Sequence, residues 1–175
     1  MKSFFREIVI TLVLAVVIFL LLQTTVQSFV VIGSSMDPNL AEGERLIVNK
    51  VVYNLHSPER GDIVVFNPPN NQKADYVKRI IGLPGETVEV RDSAVYIDGN
   101  QLDEPYIKAS PKYTLSPLVV PDNEYFMLGD NRNNSNDSHN GWTVDEESII
   151  GKTWLAIWPP TRWQLFTTTP TILAN

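Results

Sequence analysis

Two adjacent serines, Ser34 and Ser35, lie in GSSMDPNL, residues 33–40, and few groups in the chain are able to activate either of them. A hydroxyl attacks a carbonyl only when a neighbouring base takes its proton. The 175 residues include no Cys, which excludes thiolate nucleophiles, thiolate metal sites and disulfides. Two His residues are present, His56 and His139. His56 precedes Ser57-Pro58 and reads as a solvated loop residue. His139 closes the polar run GDNRNNSNDSH, residues 129–139. That run suits either a catalytic His–Asp pair or a turn-rich connection whose Asn and Asp side chains bond their own backbone. A Lys is the other kind of base, provided burial lowers its pKa. In DYVKRIIG, residues 75–82, strand alternation sends Tyr76, Lys78 and Ile80 to one face and Val77, Arg79 and Ile81 to the other. Lys78 thus shares a face with apolar neighbours, although adjacent cations on a strand also suit an exposed edge.

The elements that must position these groups begin with an anchor. Residues 8–22 are apolar apart from Thr11, and the patch 23–28 carries no charge. Extended to about Ser28, the segment reaches the roughly 20 residues a helix needs to cross the hydrocarbon core. Lys2 and Arg6 precede it, which sets the N-terminus in the cytoplasm and the remainder across the membrane. A cleavable secretory signal has a similar outline, but no Ala-x-Ala step follows the apolar centre, which favours a retained anchor.

Beyond residue 30, short β-rich runs alternate with Pro, Gly, Asn and Asp, and no apolar 3.6-residue period persists. Strands are predicted over 45–52, 62–66, 76–82, 87–91, 94–97, 125–128 and 149–157. Asp92-Ser93 forms a hairpin turn and Asp98-Gly99 begins another. Residues 100–122 hold four Pro and little alternation, which reads as a variable surface insert. The Pro- and Thr-rich end from residue 158 is expected to pack loosely. The division is therefore 1–28 for cytoplasmic tip and anchor and 29–175 for an extracytoplasmic β domain. A net charge of -6, from 14 Lys and Arg against 20 Asp and Glu, comes with no basic cluster, so nucleic acid is excluded as a partner. No metal or nucleotide cofactor is implied, since paired-His spacing and a phosphate-binding Gly motif are both lacking.

Four segments in order behind this anchor resemble the bacterial signal peptidase I family, the membrane-anchored serine peptidases of family S26. SMDPNL (35–40) is similar to its nucleophile box, RGDIVVF (60–66) to its Arg-Gly-Asp strand, YVKRIIGLPGE (76–86) to its Lys box, and GDNRNNSNDS (129–138) to its last box. The resemblance implies a mainly β fold, a LexA-like antiparallel domain behind one transmembrane helix. It also implies a Ser-Lys endopeptidase that cuts signal peptides from preproteins after Ala-x-Ala at the outer face of a plasma or thylakoid membrane, without a cofactor. Ser35 is then the nucleophile and Lys78 the general base, oriented by Ser135. The oxyanion donor is the Ser35 main-chain N–H with Ser34 as a second donor, because Gly33 stands where some members carry a Ser hydroxyl. Asp137 holds the loop, Asp130 pairs with Arg79, and Phe29, Val31 and Val77 line the pockets for small side chains.

Three departures stand out. Asn39 replaces Thr, an exchange of small polar groups; His139 replaces Arg; and Asn140-Gly141-Trp142 reverses a Trp–Gly order. The competing function is an anchored β module that binds peptides without cutting them.

Overall fold

The computed structural model describes residues 2–69 and 74–167. The chain opens with α1 (Lys2–Thr25) and continues through β1 (Val26–Val30), β2 (Arg45–Asn49), β3 (Ile63–Phe66), β4 (Tyr76–Gly82), β5 (Thr87–Arg91) and β6 (Ala94–Ile97). It then forms β7 (Asn100–Gln101), β8 (Leu115–Val119), β9 (Glu124–Leu128), β10 (Val144–Asp145), β11 (Ile149–Trp158) and β12 (Gln164–Leu165).

From Phe4 to Thr25, α1 offers 22 residues of a length and composition able to cross a membrane, about 33 Å at 1.5 Å per residue. Its apolar side chains are exposed along its length. Its hydroxyls are satisfied internally, as an apolar medium requires: Thr11 donates to the Glu7 carbonyl and Thr25 to the Leu21 carbonyl, both at 2.9 Å. The helix ends where Thr24, Thr25 and Val26 put three β-branched residues in succession. Val26 to Val30 then pair with Asn49 to Arg45 of β2. Residues 26–28 therefore belong to the sheet, and the helix itself ends at Thr25.

The larger sheet runs β1-β2-β11-β3-β4-β9-β10, with β12 on β11. Its central strand β3, Ile63-Val-Val-Phe66, is buried at every position, so it reads as an unbroken apolar run rather than an alternation. Val31, Met36, Leu46, Val48 and Val65 form the core on one face. Val64, Phe66, Ile80, Tyr125 and Met127 form it on the other. A smaller sheet, β7-β6-β5-β8, closes over Ile81, Phe126 and Leu128. The β5–β6 hairpin turns at Asp92 and Ser93, both at positive φ (50° and 59°), the backbone a two-residue turn needs to match strand twist.

All seven predicted strands form, with small changes at their ends. β2 stops at Asn49, whose side-chain oxygen takes the Val51 N–H at 3.0 Å and turns the chain out of the sheet. Two other expectations need correction. Residues 100–122 are part of the smaller sheet: β8 pairs with β5, and Leu102, Tyr106 and Val120 are buried in its core. The end of the chain is docked as far as it is described. β12 pairs with β11, Phe166 enters the core and Arg162 pairs with Glu44. Residues 168–175 lie outside the described residues.

Candidate active site

The turn that carries the serines is pinned from below. Met36 and Leu40 are fully buried, while the Asp37 N–H donates to the Ser34 carbonyl at 3.2 Å and the Leu40 N–H to the Met36 carbonyl at 2.9 Å. Gly33, at φ +83° with open space where a Cβ would point, sets the entry to the turn; an L side chain is disfavoured there by backbone conformation, not by crowding. Ser35 is left half-buried at the end of a cleft.

Strand β4 delivers its two cations to opposite sides, as alternation predicts. Lys78 Nζ lies 2.8 Å from Ser35 Oγ, although 43 residues separate them, and it donates to the Val77 carbonyl at 3.1 Å. It also stands 5.1 Å from the Tyr76 ring centre. Lys78 is only 4% exposed. Burial lowers its pKa from 10.5 to about 8, with the Asp137 and Asp130 carboxylates pulling the other way. Arg79 turns away and meets Asp130 in a fork, Nε to Oδ1 at 2.8 Å and Nη2 to Oδ2 at 2.7 Å, with a third bond to the Gly61 carbonyl. The guanidinium also lies 4.0 Å from the Tyr106 ring centre. A buried pair of this kind is sustained by its geometry and further hydrogen bonds rather than by charge alone.

Residues 129–138 clasp the serine turn. The Asn131 N–H donates to the Ser35 carbonyl at 3.0 Å, the Asn131 amide to the Ser34 carbonyl at 3.0 Å, and the Asn134 amide to Ser34 Oγ at 2.9 Å. Asp137 accepts from the Gly129 N–H at 2.9 Å and the His139 N–H at 3.2 Å. His139 Nδ1 is 2.5 Å from Asp137 Oδ1, and its ring stacks on Tyr113 at 4.3 Å. His56 is exposed and bonds the Ser57 carbonyl. Ser35 is hydrogen-bonded by the Lys78 amine, and the contacts of both imidazoles lie elsewhere.

Ser135 departs from expectation. Its hydroxyl is buried with no hydrogen-bond partner among the described residues, so the bond to Lys78 is not made. It packs against Gly129, where an added Cβ would stand 2.3 Å from Ser135 Oγ and 2.5 Å from the Ser35 carbonyl oxygen. Asn39 does more than replace Thr. Its amide donates to Asp130 Oδ2 and to the Tyr106 carbonyl, both at 2.8 Å, two bonds that a single hydroxyl proton cannot supply. Sequence reasoning passed over Arg132, which is fully buried and forks onto Glu104, with Nη1 to Oε2 at 2.6 Å. Its position inside the polar run was the available signal, since an Arg in such a run needs a carboxylate if it is buried.

Phe29, Val31 and Val77 all line the cleft beside Ser35 and Lys78, a space of about 270 Å³. A half-buried hydroxyl against an amine of lowered pKa, on an antiparallel β domain behind an apolar helix, points to a class: serine hydrolases. The chain belongs to the signal peptidase, peptidase S26, family, whose pattern matches residues 3–158. It is 45% identical over 163 residues to a probable signal peptidase I-2 from a Synechocystis species, spanning 90% of this chain and 75% of that one. A probable signal peptidase I-1 from the same organism is 44% identical over 169 residues, covering 92% of this chain and 86% of its own length. A signal peptidase IB from Staphylococcus aureus is 36% identical over 178 residues, 91% and 92% of the two chains.

Proposed function

We propose that this membrane-anchored signal peptidase cuts signal peptides from preproteins with Ser35 as nucleophile and Lys78 as general base. The observation that carries the reading is the 2.8 Å contact between Lys78 Nζ and Ser35 Oγ, made by an amine whose pKa burial brings down to about 8. The neutral amine takes the hydroxyl proton as Ser35 Oγ bonds to the scissile carbonyl carbon. The resulting oxyanion is met by the Ser35 N–H, with the Ser34 hydroxyl as a second donor, since Ser34 Oγ accepts from Asn134 and keeps its own proton to give. The ammonium returns its proton to the leaving nitrogen, the C–N bond breaks, and an acyl-enzyme remains. Water, deprotonated by the same amine, then releases the signal peptide and restores Ser35. Asp130 with Arg79, and Asp137, act through position, holding β4 and the 129–138 loop against the serine turn. Ser135 is a positioning residue whose unpaired hydroxyl is available to the Lys78 ammonium once that group has taken its proton.

The substrate enters as an added strand. Val77 and Lys78 pair with β3 on one edge and border the cleft, while pairing of β4 with β9 begins at Arg79. An extended peptide fits in that cleft, and the walls of Phe29, Val31 and Val77 restrict positions -1 and -3 to small side chains. The anchor is retained, with the N-terminus cytoplasmic and residues 29–175 extracytoplasmic. Exposed Trp154 and Trp158 on β11, Leu165 on β12 and Trp163 just before it, with Ile32 beside the cleft, suit contact with the bilayer interface.

Cleavage of an Ala-x-Ala preprotein by the detergent-solubilised chain tests the reading. Ser35→Ala and Lys78→Ala each abolish cleavage, and His139→Ala keeps at least a tenth of it. An active Lys78→Ala protein with an inactive His139→Ala protein would overturn the dyad, and a wild-type chain that binds the preprotein without cutting it would point to a peptide-binding module.

A further inference from the structure

The Tyr76 ring stands where a charge must appear. Tyr76 and Lys78 are two residues apart on β4 and so share a face, and Lys78 Nζ lies over the ring, 5.1 Å from its centre. Two contacts hold the ring there. It meets the fully buried Phe66 ring edge to face, with centres 6.2 Å apart and planes at 76°. The Asn136 amide donates to the Tyr76 hydroxyl at 3.3 Å, and the Asn136 oxygen is fixed in turn by the Asn140 amide at 3.0 Å.

When Ser35 gives up its proton, the Oγ–H bond breaks, an Nζ–H bond forms, and Lys78 becomes a buried ammonium. Among the described residues no carboxylate forms an ion pair with it: Asp130 is bound by Arg79 and Asp137 by His139. The other charged groups on the elements around the amine are also paired, Arg132 with Glu104 in the 129–138 loop and Asp37 with Lys108 in the serine turn. Asp75, ahead of β4, takes the Asn67 amide, and β3 brings only apolar side chains. An aromatic face attracts an ammonium through its quadrupole and does little for a neutral amine.

We propose that Tyr76 is a positioning residue for the base: the face of its ring receives and stabilises the Lys78 ammonium that forms when Ser35 attacks. The inference rests on the reading of Lys78 as general base. The ring acts in the same direction as the Asp137 and Asp130 carboxylates and against burial.

The pH dependence of kcat/KM tests this, because its midpoint reports the base in the free enzyme and not how well a peptide binds. The full chain in detergent is assayed on one Ala-x-Ala peptide across that midpoint. Wild type should inflect near pH 8, where burial places the amine. Tyr76→Leu keeps an apolar side chain beside the amine but removes the π face, so its profile should inflect about 0.5 to 1 pH unit lower. Tyr76→Phe keeps the ring and should inflect with wild type. Lost packing or lost peptide contact scales the whole profile and leaves its midpoint in place, so a Tyr76→Leu midpoint equal to wild type would overturn the proposal. An upward shift would overturn it too, as the mark of water reaching the amine, and so would a Tyr76→Phe midpoint displaced as far as that of Tyr76→Leu. If Tyr76→Leu cleaves too slowly to assay, urea unfolding reads the same group: stability begins to rise with pH at the folded pKa, and that onset should move down by the same amount. Lys78→Ala, run alongside, keeps the two readings apart. Should it retain wild-type cleavage, the base assignment fails and the ring contact falls with it, whereas an inactive Lys78→Ala with an unmoved Tyr76→Leu midpoint sinks the ring contact alone.

Discussion

Replacing Lys78 with Met separates what the buried amine does for chemistry from what it costs the fold. The two side chains are similar in length, and only the charge and its hydrogen bonds are lost. The gap between the ordinary value of 10.5 and the folded value of about 8, at 1.36 kcal/mol per pH unit, amounts to about 3 kcal/mol. Because the folded pKa lies below the unfolded one, the unfolded chain holds the extra proton between pH 8 and 10.5. Stability therefore rises with pH through that window, and the full cost is present below pH 8. Lost bonds to Ser35 and the Val77 carbonyl offset about 1 kcal/mol. Lys78→Met is thus expected to be inactive yet about 2 kcal/mol more stable than wild type at pH 7 in urea unfolding. Its advantage should fade as pH approaches 10.5. The same proton governs activity: at pH 7 about one-tenth of the amines are neutral, against roughly 3 in 10,000 for an unburied Lys. Wild-type kcat/KM should rise close to tenfold per pH unit below 8 and level above it. A profile levelling near pH 6.5, or a Lys78→Met protein less stable than wild type at every pH, would refute the argument.

Other perturbations follow from the same contacts. Asp130→Ala leaves Arg79 buried without its partner, and thermal unfolding should show a loss of about 3–5 kcal/mol. Gly129→Ala drives a methyl group into Ser135 Oγ and the Ser35 carbonyl. It should lower kcat more than tenfold, with circular dichroism showing the strands retained. Asn39→Thr offers one hydroxyl proton in place of two amide hydrogen bonds and should cost about 1 kcal/mol in urea unfolding. Removing residues 2–25 should shift the protein from the membrane pellet to the supernatant.

The hydrogen-bonding habits of single residues and the period of two along a strand are local properties, and they carried far. Lys78 and Arg79 go to opposite faces because consecutive Cβ atoms must, and Asp92-Ser93 turns because both residues tolerate positive φ. The apolar run before Thr25 needs no tertiary partner to be a helix. Resemblance of four short segments to a known family added the assignment of Ser35, which residue spacing alone left level with Ser34.

What remained hidden depends on residues distant in the chain. Whether Lys78 is buried, and therefore basic at working pH, depends on a turn 43 residues earlier closing over it, a contact that no local period encodes. Asn39 looked like a neutral exchange until Asp130 and Tyr106, 91 and 67 residues on, were brought to its amide. Pro residues hid β8 and the docked end at Phe166, because they weaken the strand signal without preventing an edge strand from pairing. The amino-acid sequence by itself thus determined the anchor, the strands and the order of the reactive groups. Tertiary structure decided which of those groups meet and how dry their surroundings are, because burial and hydrogen-bond partnership are set by where the rest of the chain comes to lie.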